Sequence, residues 1–226
     1  MLRWRSRAPS MHDGSAAIAA ATARASSSSC ARINESSIRL AASSARGRPR
    51  RRSGPNAGGN PVPPQPLDEM TEEVWRATVD MNLTATFLTL RCFLPGMKER
   101  RRGTIITVSS AAARRTHPRT PIAYACAKAG IVLMTQDVAA QLGGFGIRAN
   151  CIAPETILTE RTTQRIPDEM KTKLAGEHPI PRLGTVEDVA YAAAFLASDE
   201  ASWITGVVLD VAGGAVMLRW AGSLVG

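Results

Sequence analysis

The stretch "GTIITVSSAAARRTHPRTPIAYACAKAG", Gly103 to Gly130, decides how the rest of the chain is read. It opens on a short run of mostly β-branched residues, Thr104 to Val108, closed by Ser109 and Ser110. Such a run is a strand buried on both faces, predicted over residues 103–110. A loop holding His117, Pro118 and Pro121 follows. Residues 122–142 then have the length and alanine content of a helix, with Gly143–Gly144 as its C-terminal cap.

The same alternation extends in both directions. "IRANCIAP" (147–154) is the next strand, and 155–182 is a polar excursion with a helix near "PDEMKTKLAG". Residues 185–199 open with Thr185 and Asp188 in capping-box positions, and 204–214 supply a final strand and turn. Upstream, Val74, Val79, Leu83, Phe87, Leu90 and Leu94 recur at helical spacing. They predict one long or bent helix over 71–100, capped by Thr71 and stopped near Pro95–Gly96 or a few residues later. Strands joined by helices imply parallel βαβ units, hence an α/β fold with a doubly wound parallel sheet. Ligands on such sheets sit beyond the carboxyl ends of the strands. Ser109–Ser110, Pro154–Thr159 and Gly213–Gly214 fall there, as does Asn56–Gly59 if a strand precedes it.

Composition narrows the function classes. A chain of 226 residues suffices for one α/β domain, and no run approaches the roughly 20 apolar residues of a membrane span. The four cysteines lack CxxC spacing, which argues against a structural zinc site and a disulfide framework and for a reducing, cytoplasmic setting. The net charge of +9 resides in residues 1–55, which hold 11 Arg and only two acids; the remainder is neutral. A basic tail can bind nucleic acid or anionic membrane, but such runs are more often solvated arms, and the tail has no interleaved aromatics beyond Trp4. Neither partner is therefore expected.

The chemistry centres on "YACAK", Tyr124 to Lys128. Residues at i and i+4 share one helix face. A phenol with a pKa of about 10 is a poor proton-transfer group at neutral pH, and a nearby ammonium favours the phenolate. Bringing the phenol to neutrality takes about 4 kcal/mol of differential interaction. The sequence-based expectation is that Lys128 lowers the Tyr124 pKa.

In order and spacing, "NAGG", "VDMNLTATF", "TIITVSS", "YACAK", "NCIAPETILT" and "DVAYAAAFLASDEASWITGVVLDVAGG" resemble the short-chain dehydrogenase/reductase family across residues 56–214. The resemblance implies a Rossmann-like fold and hydride transfer between NAD or NADP and a carbonyl or alcohol, of the 3-oxoacyl reductase kind. It also implies a homo-oligomer, dimer or tetramer. It assigns Tyr124 as general acid or base, Lys128 to the tyrosine and the nicotinamide ribose, and Ser110 to the substrate oxygen, with Ser109 competing for that role. Asn82 would hold a proton-relaying water by distorting its helix. Asn56, Ala57 and Gly58 would lie beside the adenine and ribose, and Pro154, Ile157 and Thr159 beside the nicotinamide. The chain departs from the family pattern at Pro55, at Ala212 and at Glu155, which stands where glycine is usual. Ser110 also lies one residue further from Tyr124 than is usual.

The largest departure is at the front. The family's Thr-Gly-x-x-x-Gly-x-Gly turn, which cradles the pyrophosphate, occurs nowhere in residues 1–55. Those residues contain no Val and no Phe but 12 Ser and 12 Ala, so no buried strand can be built from them. They read as a disordered or non-native segment, either a GC-rich gene translated out of frame or an Arg/Ser-rich targeting arm. Residues 56–226 form the partial catalytic domain. The expected consequence is impaired activity, or a non-catalytic chain that serves only as an oligomerisation partner.

Overall fold

The computed structural model describes residues 63–116 and 120–217. The expected cofactor contacts of Asn56, Ala57 and Gly58 lie outside the described residues, as does all of 1–55. The described strands are β1 (Gly103–Val108), β2 (Ile147–Pro154), β3 (Ile157–Leu158), β4 (Gly184–Thr185) and β5 (Val208–Val211). The helices are α1 (Glu72–Val79), α2 (Ala85–Glu99), α3 (Ile122–Leu142), α4 (Glu160–Arg165), α5 (Asp168–Gly176) and α6 (Val186–Ala197). None of them is long and apolar enough to cross a membrane.

The main sheet has the order β1-β2-β5, all parallel. Gly103 lies opposite Ile147 and Val108 opposite Ile152, while Pro154 lies opposite Val211. β2 is central, and Ala149 to Ala153 are all buried, as a strand covered on both faces requires. Successive side chains on β1 take opposite faces. Ile105 joins a cluster with Leu90, Ala139, Leu142 and Ile147, contributed by α2 and α3 on one side. Ile106 packs on the other side against Ile152, Val189 and Leu196, beneath α6. This is the three-layer Rossmann-like arrangement expected. Burying a side chain such as Ile152 contributes about 1.5–3 kcal/mol.

Several boundaries differ from the sequence-based expectation. The predicted helix over 71–100 is present but interrupted by a π-helical turn at Asp80–Thr84. Thr71 caps it, its Oγ1 accepting from the Val74 amide at 3.4 Å. Pro95 does not stop the helix but sits inside α2, one turn before its end. The helix over 122–142 ends as predicted, yet Gly143–Gly144 enter a 3₁₀ turn and the left-handed residue is Gly146, at φ 69°. A Cβ there would come within 2.6 Å of the Arg101 carbonyl oxygen, so both backbone conformation and space demand glycine.

The final strand begins only at Val208 rather than at 204. Residues 204–207 form a loop held by Asn150, whose Nδ2 donates to the Ile204 carbonyl at 2.9 Å while its Oδ1 accepts from the Val207 amide at 3.2 Å. Gly206, at φ 75°, makes that loop possible. Among the described residues Cys126 and Cys151 are free thiols.

Candidate active site

The sheet brings Ser109 and Ser110 to the carboxyl end of β1, and the first turns of α3 bring Tyr124 and Lys128 beside them. The two serines have different fates. Ser109 is buried; its hydroxyl donates to the Lys128 carbonyl at 2.7 Å, and its amide continues the ladder to Ile152 at 2.8 Å. It is fully engaged in joining strand to helix. Ser110 leaves the strand in an extended conformation and caps the turn Ala111–Ala113, its Oγ accepting from the Ala112 amide at 3.2 Å. The Ser110 hydroxyl stands close enough to the Tyr124 phenol to favour its ionised form. Of the two serines, Ser110 is the one that faces the phenol.

Lys128 is 4% exposed, and its Nζ donates to the Val108 carbonyl at 3.0 Å. The same Nζ lies 5.6 Å from the centre of the Tyr124 ring. Burial disfavours the ammonium and brings its pKa down to about 8, against an opposing pull from Cys151. The expectation that Lys128 lowers the Tyr124 pKa is not met. Burial pushes the phenol up, the Ser110 hydroxyl draws it down, and the negative charge of Glu155 raises it again. In this dry setting desolvation disfavours the charged form of both groups.

Asn82 sits inside the π turn and is 2% exposed. Its Nδ2 donates to the Thr78 carbonyl at 2.9 Å, competing for the acceptor that its own backbone N–H would use in a regular α-helix. The sequence-based expectation of a helix distorted at Asn82 matches this turn, which packs against α3. The Asn82 Oδ1 is buried without a partner among the described atoms. Orphan buried acceptors are rare and mark places where a water or ligand group belongs.

The remaining expected residues follow β2. Pro154 ends that strand, paired with Val211. Ile157 lies on β3 and packs into the core beneath α6. Thr159 caps α4, its Oγ1 accepting from the Thr162 amide at 3.1 Å in a capping box. Sequence reasoning had no reason to single out Arg114 and Arg115. Arg114 pairs with Asp210 at 3.0 Å, and Arg115 pairs with Glu155 at 3.2 Å. Ion pairs between residues 96 and 40 positions apart leave no local sequence signal.

Comparison with known proteins places this geometry. A family model described as enoyl-(acyl carrier protein) reductase matches residues 55–216. Glucose 1-dehydrogenase 2 of Bacillus subtilis is 37% identical over 163 residues, covering 72% of this chain and 62% of that protein. A 3-oxoacyl-[acyl-carrier-protein] reductase FabG of Thermotoga maritima is 37% identical over 151 residues, covering 67% of this chain and 61% of that protein. The solved structure of a 3-oxoacyl-[acyl-carrier protein] reductase with bound NAD from Brucella melitensis matches with a TM-score of 0.66 and 40% identity, covering 72% of this chain and 61% of that one. The chain thus spans about three fifths of the length of the relatives it matches. Since the matched span holds the strand-end serines, the Tyr124–Lys128 helix and the Asn82 turn together, the chain belongs to the short-chain dehydrogenase/reductase family.

Proposed function

We propose that this chain carries the substrate-side half of a hydride-transfer oxidoreductase, acting on a carbonyl or alcohol of the 3-oxoacyl reductase kind with NAD or NADP. The observation that carries the reading is the Lys128 Nζ 5.6 Å from the centre of the Tyr124 ring, with the Ser110 hydroxyl beside the phenol. In reduction Tyr124 gives its proton to the substrate oxygen, and in oxidation it takes one back. Ser110 donates to the same oxygen and fixes its position. The dinucleotide, when bound, supplies or accepts the hydride. Lys128 donates to the Val108 carbonyl and, as an ammonium with three donors, has others to offer a ribose hydroxyl. The orphan Oδ1 of Asn82 suits a relay water. Pro154, Ile157 and Thr159 are proposed to line the nicotinamide side, and Asn56, Ala57 and Gly58 the adenine side.

The residues present fit the nicotinamide half of the cofactor. The sequence contains no glycine-rich turn for the pyrophosphate, so we infer impaired activity. The test is reduction of a short 3-oxoacyl thioester, followed by loss of reduced-nicotinamide absorbance. Slow turnover that grows with cofactor up to millimolar concentration is expected. A rate saturating at micromolar cofactor would refute the impairment, and no rate at any concentration would refute catalysis.

A specific surface favours a second role as an oligomer partner. Between the π turn, α2 and α3 runs an open groove whose apolar lining of Leu83, Phe87, Leu133, Met134 and Val138 is rimmed by Thr84, Asp137 and Gln141. Leu133 is 61% exposed there and Phe87 48%. Contiguous apolar surface of this kind marks protein contacts more often than solvent. We expect a dimer or tetramer by light scattering, and Leu133→Glu should reduce the mass to the monomer. A parent chain that is already monomeric at tens of micromolar would exclude the role.

A further inference from the structure

The end of β1 and the residue after it hold one lysine at both ends. Ser109 is buried, and its hydroxyl donates to the Lys128 main-chain carbonyl at 2.7 Å. The Val108 carbonyl, one residue earlier, accepts from the Lys128 Nζ at 3.0 Å. Lys128 lies inside α3, so the helical ladder takes one lone pair of its carbonyl and the serine takes the other. Thr107 shares the face of the strand that Ser109 occupies. It meets Thr135, about two turns beyond Lys128, with the hydroxyl oxygens 2.7 Å apart. Further down the same face, Ile105 joins Ala139 and Leu142 in one apolar cluster. Strand and helix thus meet along a seam that is apolar at its base and hydrogen-bonded at its top. The two hydroxyl contacts differ in what they reach. Thr135 donates back within its own helix to the Ile131 carbonyl at 2.7 Å, so the Thr107 contact closes on a side chain two turns further from the phenol. Ser109 grips the backbone of the residue whose Nζ stands 5.6 Å from the centre of the Tyr124 ring.

We propose that Ser109 is a positioning residue of the proton-transfer site: by holding the Lys128 carbonyl it fixes the first turns of α3 on the end of β1, which keeps the Lys128 ammonium on the Val108 carbonyl and beside the Tyr124 ring. The inference rests on the reading of Tyr124 and Lys128 as the reacting pair. Its physical reason is the length of lysine. The ammonium rides on a flexible stem with many rotamers, so a contact at its tip does not determine where its root stands. Here adjacent residues of the chain hold the carbonyl and the ammonium, and root and tip share one frame. That frame is tied to the sheet, because the Ser109 amide donates to the Ile152 carbonyl of β2 at 2.8 Å. Tyr124 lies one turn before Lys128 on the same helix face, so the contact that sets the height of the lysine also sets that of the phenol. With its hydroxyl spent on a buried carbonyl, Ser109 acts through Lys128, whereas Ser110 is the serine turned to the substrate oxygen.

The lysines of the chain are Lys98, Lys128, Lys171 and Lys173, of which Lys128 is buried and Lys173 exposed. A short pulse of an amine-acetylating ester, read by peptide mass spectrometry, gives the modification rate of Lys128 relative to Lys173 within the same sample. Acetylation requires the Lys128 ammonium to leave the Val108 carbonyl for solvent, so the ratio reports how often it does so. Removing one hydrogen bond's worth of restraint should raise the ratio about fivefold in Ser109→Ala. Ser109→Thr keeps the hydroxyl and should stay near the parent. Thr135→Val removes the other hydroxyl contact of the same seam and should also stay near the parent. A Ser109→Ala ratio equal to the parent's overturns the proposal. So does a Thr135→Val or Ser109→Thr ratio raised as far as that of Ser109→Ala, which would mean a general loosening of the seam. A Ser109→Ala chain that has lost its circular dichroism also overturns it, since the serine would then serve folding and not the placing of the lysine. Labelling needs no turnover, so loss of the catalytic reading alone leaves these ratios in place, and the two failures are distinguishable.

Discussion

Titrated with NADH or NADPH, the purified 226-residue chain should show no saturable binding below about millimolar concentration, roughly a thousandfold weaker than a micromolar site and about 4 kcal/mol of lost affinity. The loss follows from what holds a dinucleotide. Its pyrophosphate is bound by backbone N–H groups at a helix N-terminus, reached through glycines that let the chain approach closely. Hydrogen bonds to charged groups contribute about 1.5–3 kcal/mol each, so losing two of them accounts for the deficit. Among the residues identified around Tyr124, Lys128 is the one cation offered to the ribose and nicotinamide half. Glu155 adds a negative charge nearby, which does nothing to offset the loss for an anionic cofactor. Fluorescence titration measures this directly. A micromolar dissociation constant would mean that some other part of the chain builds a cradle that its sequence does not announce.

The fold was legible where local patterns dictate it. The β-branched run before Ser109 gave β1, and "IRANCIAP" gave β2 over the full Ile147–Pro154. Thr185 and Asp188 gave the start of α6, where both halves of the capping box form. These signals work because burial and capping act over a few residues. The tail of the fold was less legible. Residues 204–207 read as strand because they are apolar, but the Asn150 side chain, more than 50 positions away, takes their backbone groups into a loop.

The site divides in the same way. Tyr124 and Lys128 were visible because a helix places them on one face. Ser109 and Ser110 could not be separated by sequence, since both follow the same strand. Their roles diverge only when α3 offers the Lys128 carbonyl to one and the Tyr124 phenol to the other. The sign of the Tyr124 pKa was missed because proximity of Lys128 was legible and depth of burial was not. The cross-sheet pairing of Arg115 with Glu155 was invisible for the same reason as the Asn150 contacts: only the closed fold brings the partners together.

Replacing Tyr124 by Phe removes one hydroxyl and leaves the ring's packing intact. In stability it loses no more than one hydroxyl's interaction, worth about 1 kcal/mol. In catalysis it removes the proton donor, and positioned acid or base groups contribute about 10²–10⁴-fold. Ser110 does not substitute, because an aliphatic hydroxyl is a far weaker acid than a phenol. The deciding measurement is the rate of 3-oxoacyl thioester reduction at millimolar reduced cofactor, for the parent and Tyr124→Phe chains side by side. The account predicts a parent rate that falls at least about a hundredfold in the variant while its circular dichroism is unchanged. A folded Tyr124→Phe chain that turns over as fast as the parent would contradict it.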